Sequence, residues 1–447
     1  MLNPLKVCFA PYKGILQQEG EFWMTKHIAA ILSLFIMMSQ IISCGNSTVP
    51  IKTAPTASPA THPSSQPATS PSAEPTETTD PIKEQISAMT LDDKIGQMVL
   101  VGLDGTSMGA NTKEMIEKYR VGGFILYKDN ITGASQTVKL LNQLKAANHA
   151  KAAPLWLSID QEGGKVSRMP AEFKQLPPAA DVGRANDLDY TYQIGKALGV
   201  EVRSLGFNMD FAPVLDINSN PNNPVIGSRS FGSNPKTVIT HGIETMKAIQ
   251  STHVAAVVKH FPGHGDTTVD SHLDLPVVNK TVKELEEFEL LPFVEAVHQG
   301  ADAIMIAHLL IPQADDKYPA SLSKNLISNL LRGHLSYEGV IITDDMTMGG
   351  ITKHYNIGEA AVKSVQAGSD IILVGHEHDK QLAVLKALKK SAQAGVITKD
   401  MLNQSVYRIL SLKSKYQLKD SAIQSIDVKA VNRQIGAALN SKNKRND

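Results

Sequence analysis

From about residue 80 onward, short apolar runs alternate with longer segments whose apolar residues recur every three or four positions. The runs are Met98–Leu103, Gly123–Tyr127, Leu155–Asp160, Phe207–Leu215, Ala255–Lys259, Ala303–His308, Val340–Asp344 and Asp370–Val374. Nearly unbroken apolar runs of this length are the mark of strands buried on both faces. The segments between them, such as Thr132–Ala150, Leu188–Leu205, Thr237–Thr252, Val282–Gln299, Lys324–Leu335 and Gly358–Ala367, predict amphipathic helices. Strand and helix alternating eight times predicts an α/β fold of the (β/α)8 barrel type, as one domain over residues 81–418. A doubly wound open sheet is the alternative. Such sheets usually carry a Gly-rich phosphate turn after the first strand, and Leu103-Asp-Gly-Thr-Ser107 matches that poorly.

Thr90 followed by Leu91-Asp-Asp93 predicts a helix N-cap with acids in the first turn. After the eighth run come two more helical stretches, Asp379–Ala394 and Lys399–Leu418. The tail, 419–447, holds a weaker one at Val428–Leu439. Ahead of the domain, Ile28 to Ile42 is almost wholly apolar and follows Lys26 and His27. That length is short for a membrane span and suits a signal-peptide core. It ends Ile41-Ile42-Ser43-Cys44-Gly45, which resembles a bacterial lipobox with Cys44 as the lipidated residue. The expectation is a signal peptide over 1–44 and a protein anchored by lipid to an extracytoplasmic membrane surface; a short transmembrane anchor is the alternative. Met24 offers a second start, which leaves 1–23 without an assigned structure. Residues 45–80 are Pro, Ser, Thr and Ala with little to bury, and read as a disordered linker. Extended, such a linker reaches on the order of 100 Å.

Composition narrows the function. Lys plus Arg and Asp plus Glu balance at 44 each, without the basic excess of a nucleic-acid binder. The two cysteines, Cys8 and Cys44, both precede the domain, so it has no disulfide and no thiolate chemistry. No cofactor motif stands out, and a monomer is expected.

The polar residues that break the pattern sit at or just after run ends: Asp160, Asp216, Lys259-His260, His308 and Asp344-Asp345. Barrel enzymes place their chemistry at that end. The loop from Lys259 to His272 gathers a lysine, three histidines and two aspartates around Pro262, Gly263 and Gly265, a density that ordinary connectors lack. Taken singly, Asp344 reads equally as a helix cap and Arg229 as a solvated surface residue.

Four stretches carry a resemblance: DQEGGKVSR at 160–168, IGSRSF at 226–231, KHFPGHGDTTVDSH at 259–272 and ITDDMTM at 342–348. Together, and in this order, they resemble glycoside hydrolase family 3, in its β-N-acetylhexosaminidase branch. The resemblance implies that Asp344 is the nucleophile, His272 the general acid/base and Asp270 its orienting partner. It implies that Asp160, Arg168, Arg229, Lys259 and His260 bind the sugar, and that the substrate is an N-acetylglucosamine-containing glycan, with cell-wall fragments expected. The chemistry stands on its own terms. Retaining hydrolysis needs a carboxylate nucleophile and a group that first gives and then takes a proton. A histidine suits the second task, with an ordinary pKa near 6.5. An aspartate two residues away can fix its tautomer. His264 is expected to be structural, Asp210 and Asp216 to cap the rim or core, and Asp345 to point away from Asp344 by strand alternation. Three alternatives stay open: a glycoside phosphorylase on the same site, a metal-dependent hydrolase using His260, His264, Asp266 and His272, and a non-catalytic sugar-binding lipoprotein.

Overall fold

The computed structural model describes residues 80–149 and 151–443. The expectations for Cys44, for the signal peptide over 1–44 and for most of the linker fall outside these residues. Eight parallel strands form the centre: β1 (Val99–Gly102), β2 (Gly123–Leu126), β3 (Trp156–Ile159), β4 (Met209–Asp210), β5 (Ala255–Phe261), β6 (Ala303–Ile306), β7 (Val340–Thr343) and β8 (Ile372–Val374). Every residue in them is buried, which is why they read as unbroken apolar runs. The order β7-β6-β5-β4-β3-β2-β1-β8 joins β8 to β1, and a parallel bridge between Ile342 and Ile371 closes the ring. An open doubly wound sheet cannot close this way, so the fold is the (β/α)8 barrel.

The β7–β8 seam is laced by side chains where the ladder is thin. Thr343 Oγ1 accepts from Leu373 N at 3.1 Å, Asp345 Oδ1 from Gly375 N at 2.9 Å and Asp370 Oδ2 from Ile341 N at 2.9 Å.

Two segments differ from the sequence expectation. The run Phe207–Leu215 keeps only two residues as β4, because Pro213 has no N–H to give to a ladder. The chain rejoins β5 further on, where Leu215 N donates to Lys259 O at 2.6 Å. The segment Val282–Gln299 is two helices, Val282–Glu287 and Leu291–His298, the second starting with Pro292 in its first turn. Proline lacks the N–H that an unbroken helix needs at that point. Thr90 caps Leu91–Gln97 through a reciprocal capping box with Asp93, as its spacing predicts.

At the amino-terminal end of the barrel, Lys413 is buried. Its Nζ donates to Gln97 Oε1 at 2.7 Å and to the carbonyls of Gly122 and Pro154 at 3.0 and 2.6 Å. Burial pulls its pKa down to about 7. In the tail, Asp420 accepts from Leu155 N and Asn148 Nδ2, and Val428–Asn440 buries Val431, Ile435 and Ala438.

Candidate active site

A cavity of about 410 Å³ opens at the carboxyl ends of the strands, and its wall includes Asp160, Glu162, Arg229, Lys259, His272 and Asp344. A larger hollow of about 1140 Å³ lies at the opposite end, beside Pro81–Ala88 and Lys399–Lys415. It gathers no such set of acids and histidine.

The floor is an ion cluster built from three strand ends. After β3 the chain turns through Gly163 and Gly164 at φ +84° and +58°, where a side chain on Gly164 would strike Pro178. This turn presents Asp160 and Glu162 to Lys259 at the end of β5. Lys259 is almost fully buried, and its Nζ lies 2.6 Å from Asp160 Oδ1 and 2.8 Å from Glu162 Oε1. Glu162 also grips Arg229 through two bonds of 2.7 Å, one to Nε and one to Nη2. Burial alone would raise the Glu162 pKa, but the charges and hydrogen bonds of Arg229 and Lys259 outweigh it. The carboxyl therefore lies well below the usual range, and Arg229 above its own. Arg168 stands further out, 3.9 Å from Asp160.

His260 extends this floor. Its Nδ1 is 2.6 Å from Asp216 Oδ2, and its Nε2 is 3.4 Å from Arg229 Nη2. A guanidinium only donates, so Nε2 accepts and the ring proton sits on Nδ1, facing Asp216. Asp216 is fully buried and also accepts from the backbone N–H of His264 at 2.7 Å. It is a brace for two loop histidines, a more specific task than rim capping.

Asp344 follows β7 directly, and its Oδ1 accepts from Asp345 N at 2.8 Å. Burial works against its charge. The imidazoles of His260 and His308 and that N–H more than offset burial, and hold the carboxyl below its ordinary value. Above it, the loop after β5 carries Asp270 and His272. Asp270 Oδ1 takes both the backbone N–H of His272 at 2.9 Å and ring Nδ1 at 2.8 Å. Burial is again the largest single effect on Asp270, but the bonds from His272 win and its pKa is lowered. With Nδ1 occupied, Nε2 of His272 is left for the cavity.

The sequence of the chain matches the description "Glycosyl hydrolase family 3 N terminal domain" over residues 90–412. The chain belongs to glycoside hydrolase family 3. It is 35% identical over 335 residues to "Beta-hexosaminidase A" of Pseudoalteromonas piscicida, covering 69% of this chain and 56% of that protein. It therefore spans little more than half the length of that relative. It is 31% identical over 315 residues to "Beta-hexosaminidase" of Stenotrophomonas maltophilia (strain K279a), covering 68% of this chain and 92% of that one. Among solved structures, a glycoside hydrolase family 3 beta-N-acetylglucosaminidase from Paenibacillus sp. str. FPU-7 superposes with a TM-score of 0.74 at 40% identity. That match covers 79% of this chain and 69% of the other.

On this family 3 barrel the eight site residues named from the sequence all line one cavity except Asp270, which stands directly behind His272. One expectation is corrected. Asp345 does not turn away from Asp344, because β7 ends at Thr343 and its alternation stops there. Asp345 also lines the cavity and accepts from Thr347 N, Thr347 Oγ1, Gly375 N and the Tyr127 hydroxyl. His308 is buried outside the cavity, with Nε2 3.0 Å from Asp345 O. His264 is buried as expected, with Nδ1 on Thr267 Oγ1 and Nε2 on Ser271 Oγ. Burial, then His260, pulls its pKa down to about 4. Among the described residues, no three His, Asp or Glu side chains are grouped to hold a metal ion.

Sequence reasoning missed Glu162, although its signal was present. A second acid two positions after Asp160, ahead of paired glycines, has little reason to be a solvated charge. The same reasoning placed Asp210 as a cap of the rim or core, but not Glu201, which joins Asp210 in a buried acid layer behind the floor. Gln161 N donates to Asp210 Oδ1, and Gln161 Nε2 to Glu201 Oε2. Gln161 Oε1 in turn accepts from Arg168 N at 3.0 Å. Burial pushes Glu201 up to about 8, so it is protonated at neutral pH, and raises Asp210 as well.

Proposed function

We propose that this family 3 enzyme is a retaining exo-acting β-N-acetylglucosaminidase working through a covalent glycosyl-enzyme. The observation that carries this reading is the pairing of a buried, charged Asp344 with a His272–Asp270 dyad at the same cavity. In the first step an Asp344 oxygen bonds to the anomeric carbon as the bond to the leaving oxygen breaks. His272 Nε2 gives that oxygen its proton, while Asp270 holds Nδ1–H and steadies the imidazolium. In the second step the now neutral Nε2 takes a proton from water, water attacks the anomeric carbon, and Asp344 leaves as carboxylate. Asp160, Arg168, Arg229, Lys259 and His260 hold the sugar hydroxyls and the acetamido-bearing ring. The names of the hexosaminidase relatives support this choice of sugar.

The 2-acetamido sugar is expected to be preferred over glucose. Buried polar groups that pair with the acetamide are left unsatisfied without it, at roughly 1–3 kcal/mol for each. The test compares kcat/KM for an aryl N-acetyl-β-glucosaminide and the matching β-glucoside, with and without phosphate. Equal values for the two sugars overturn the assignment. A rate that requires phosphate makes the enzyme a phosphorylase instead.

Cell-wall-derived saccharides are the proposed natural substrates, and lipid attachment at Cys44 is the proposed location signal. The apolar run ending at Ser43-Cys44 supports the second. Labelled lipid is expected on the parent protein and absent from Cys44→Ala; label persisting on the variant sinks it.

A further inference from the structure

The residues that carry the proton sit on a turn, Asp270 to Asp274, in which Asp270 O accepts from both Leu273 N and Asp274 N. His272 itself is largely exposed, and its side chain bonds to Asp270 within the turn. Such a turn has little packing of its own to fix where the imidazole stands, so its neighbours must do so.

On the inner side, Ser271 is buried and its Oγ meets His264 Nε2 at 3.1 Å. His264 is in turn held by Thr267 and, through its backbone N–H, by Asp216. This side ties the turn to the sugar-binding floor.

The outer side is different. It consists of the segment that leaves the nucleophile strand. Gly349 N donates to His272 O at 3.2 Å and Gly350 N to Ser271 O at 3.0 Å. Five residues after Gly349, His354 Nε2 lies 2.7 Å from Asp274 Oδ1. The fit at the glycine is close. A Cβ on Gly349 would come within 2.7 Å of the carbonyl oxygens of both His272 and Leu273. Both are backbone atoms, so no side-chain rotation can relieve the contact. Gly349 has no left-handed backbone that would itself demand glycine. Close approach of the proton-carrying turn is what the missing side chain allows.

We propose that Gly349, Gly350 and His354 form a latch by which the loop bearing Asp344 sets the position of His272. They are positioning residues that act through the turn: Gly350 and His354 lie outside the cavity wall, and Gly349 reaches it while holding the turn. The latch gives the two halves of the chemistry a common mount, since the segment that follows the nucleophile also holds the acid/base in register with it. It rests on the assignment of His272 as acid/base and goes beyond it.

The experiment uses the whole protein and reads two leaving groups. One is a sugar or alkyl alcohol, which needs a proton to depart; the other is dinitrophenolate, which does not. Gly349→Ala is expected to cost at least about 10-fold on the first, within the range of general acid catalysis. The rate of glycosyl-enzyme formation from the dinitrophenyl substrate is expected to stay within twofold. His354→Ala removes an exposed charged hydrogen bond and is expected to cost about 2- to 5-fold on the poor leaving group alone. His354→Gln keeps an N–H donor and is expected to restore most of that loss. A double substitution, His272→Ala with His354→Ala, is expected to be no worse than His272→Ala by itself, because His354 acts only through His272.

Equal losses on both leaving groups would place the effect on Asp344 and overturn the latch. So would additive losses in the double variant, or Gly349→Ala and His354→Ala both matching the parent on the poor leaving group. If His272→Ala shows no dependence on the leaving group, the acid/base assignment fails first and takes the latch with it.

Discussion

His272→Ala will lose about 10²- to 10⁴-fold on a substrate whose leaving group is a sugar, the usual range for general acid help. The reason is chemical. A sugar alkoxide is a poor leaving group and must be protonated as it departs. Dinitrophenolate leaves unaided, so the same variant should form its glycosyl-enzyme at close to the parent rate. Breakdown still lacks a base, so the intermediate should accumulate and appear as a burst. Azide needs no deprotonation and should speed turnover. Asp344→Ala removes the atom that bonds to the sugar and should be almost inactive with every leaving group, with no help from azide through a glycosyl-enzyme. Asp270→Ala should resemble a milder His272→Ala, since the imidazole remains without its Nδ1 partner at 2.8 Å. A uniform loss for His272→Ala across leaving groups, with no azide effect, would falsify the dyad.

Replacing Glu162 with Ala is the second large effect. Glu162 is the shared counter-ion of Lys259 and Arg229, both buried or nearly so. Removing one partner of a buried ion pair leaves an uncompensated charge and typically costs about 3–5 kcal/mol. A lower melting temperature is therefore expected. The kinetic signature should be the reverse of that for His272. Sugar-holding groups lose their places, so kcat/KM should fall by about 100-fold or more, equivalent to roughly 3 kcal/mol of transition-state binding. Dinitrophenolate should rescue none of it. Glu162→Gln keeps the shape and one acceptor and should fall between. If Glu162→Ala keeps kcat/KM within threefold of the parent, the ion cluster does not position the sugar.

Much of this was legible in the chain because barrel strands are buried on both faces and so spell themselves as apolar runs. A polar residue ending such a run is conspicuous, which is how Asp160, Lys259 and Asp344 stood out. What stayed hidden depends on contacts between loops far apart in sequence. Glu162 lies inside the stretch DQEGGKVSR, but its partners lie 67 and 97 positions away. Strand alternation turns Asp345 away from Asp344 only if the strand continues past Thr343, where β7 in fact ends. The break at Pro213 and the restart at Pro292 follow from proline's missing N–H, a signal present in the sequence itself. No pattern in the sequence marks Gly349 as a contact surface; only the folded loops show what a side chain there would meet.

The seam between β7 and β8 has a consequence for how the barrel breathes. At Leu373, Gly375 and Ile341 the backbone amides are held by a hydroxyl and two carboxylates from side chains. A ladder bond opens only when a strand moves, but a side-chain acceptor can let go by rotating about its own bonds, on a far shorter timescale. Amide hydrogens at these three positions are therefore expected to exchange sooner than those of Thr343 and Met346, whose bonds cross the same seam to backbone carbonyls. Two of the three acceptors, Thr343 and Asp345, flank Asp344 in sequence. The ground beneath Asp344 is thus pinned by side chains as well as by backbone bonds, so a substitution at Thr343 or Asp345 reaches the barrel wall itself.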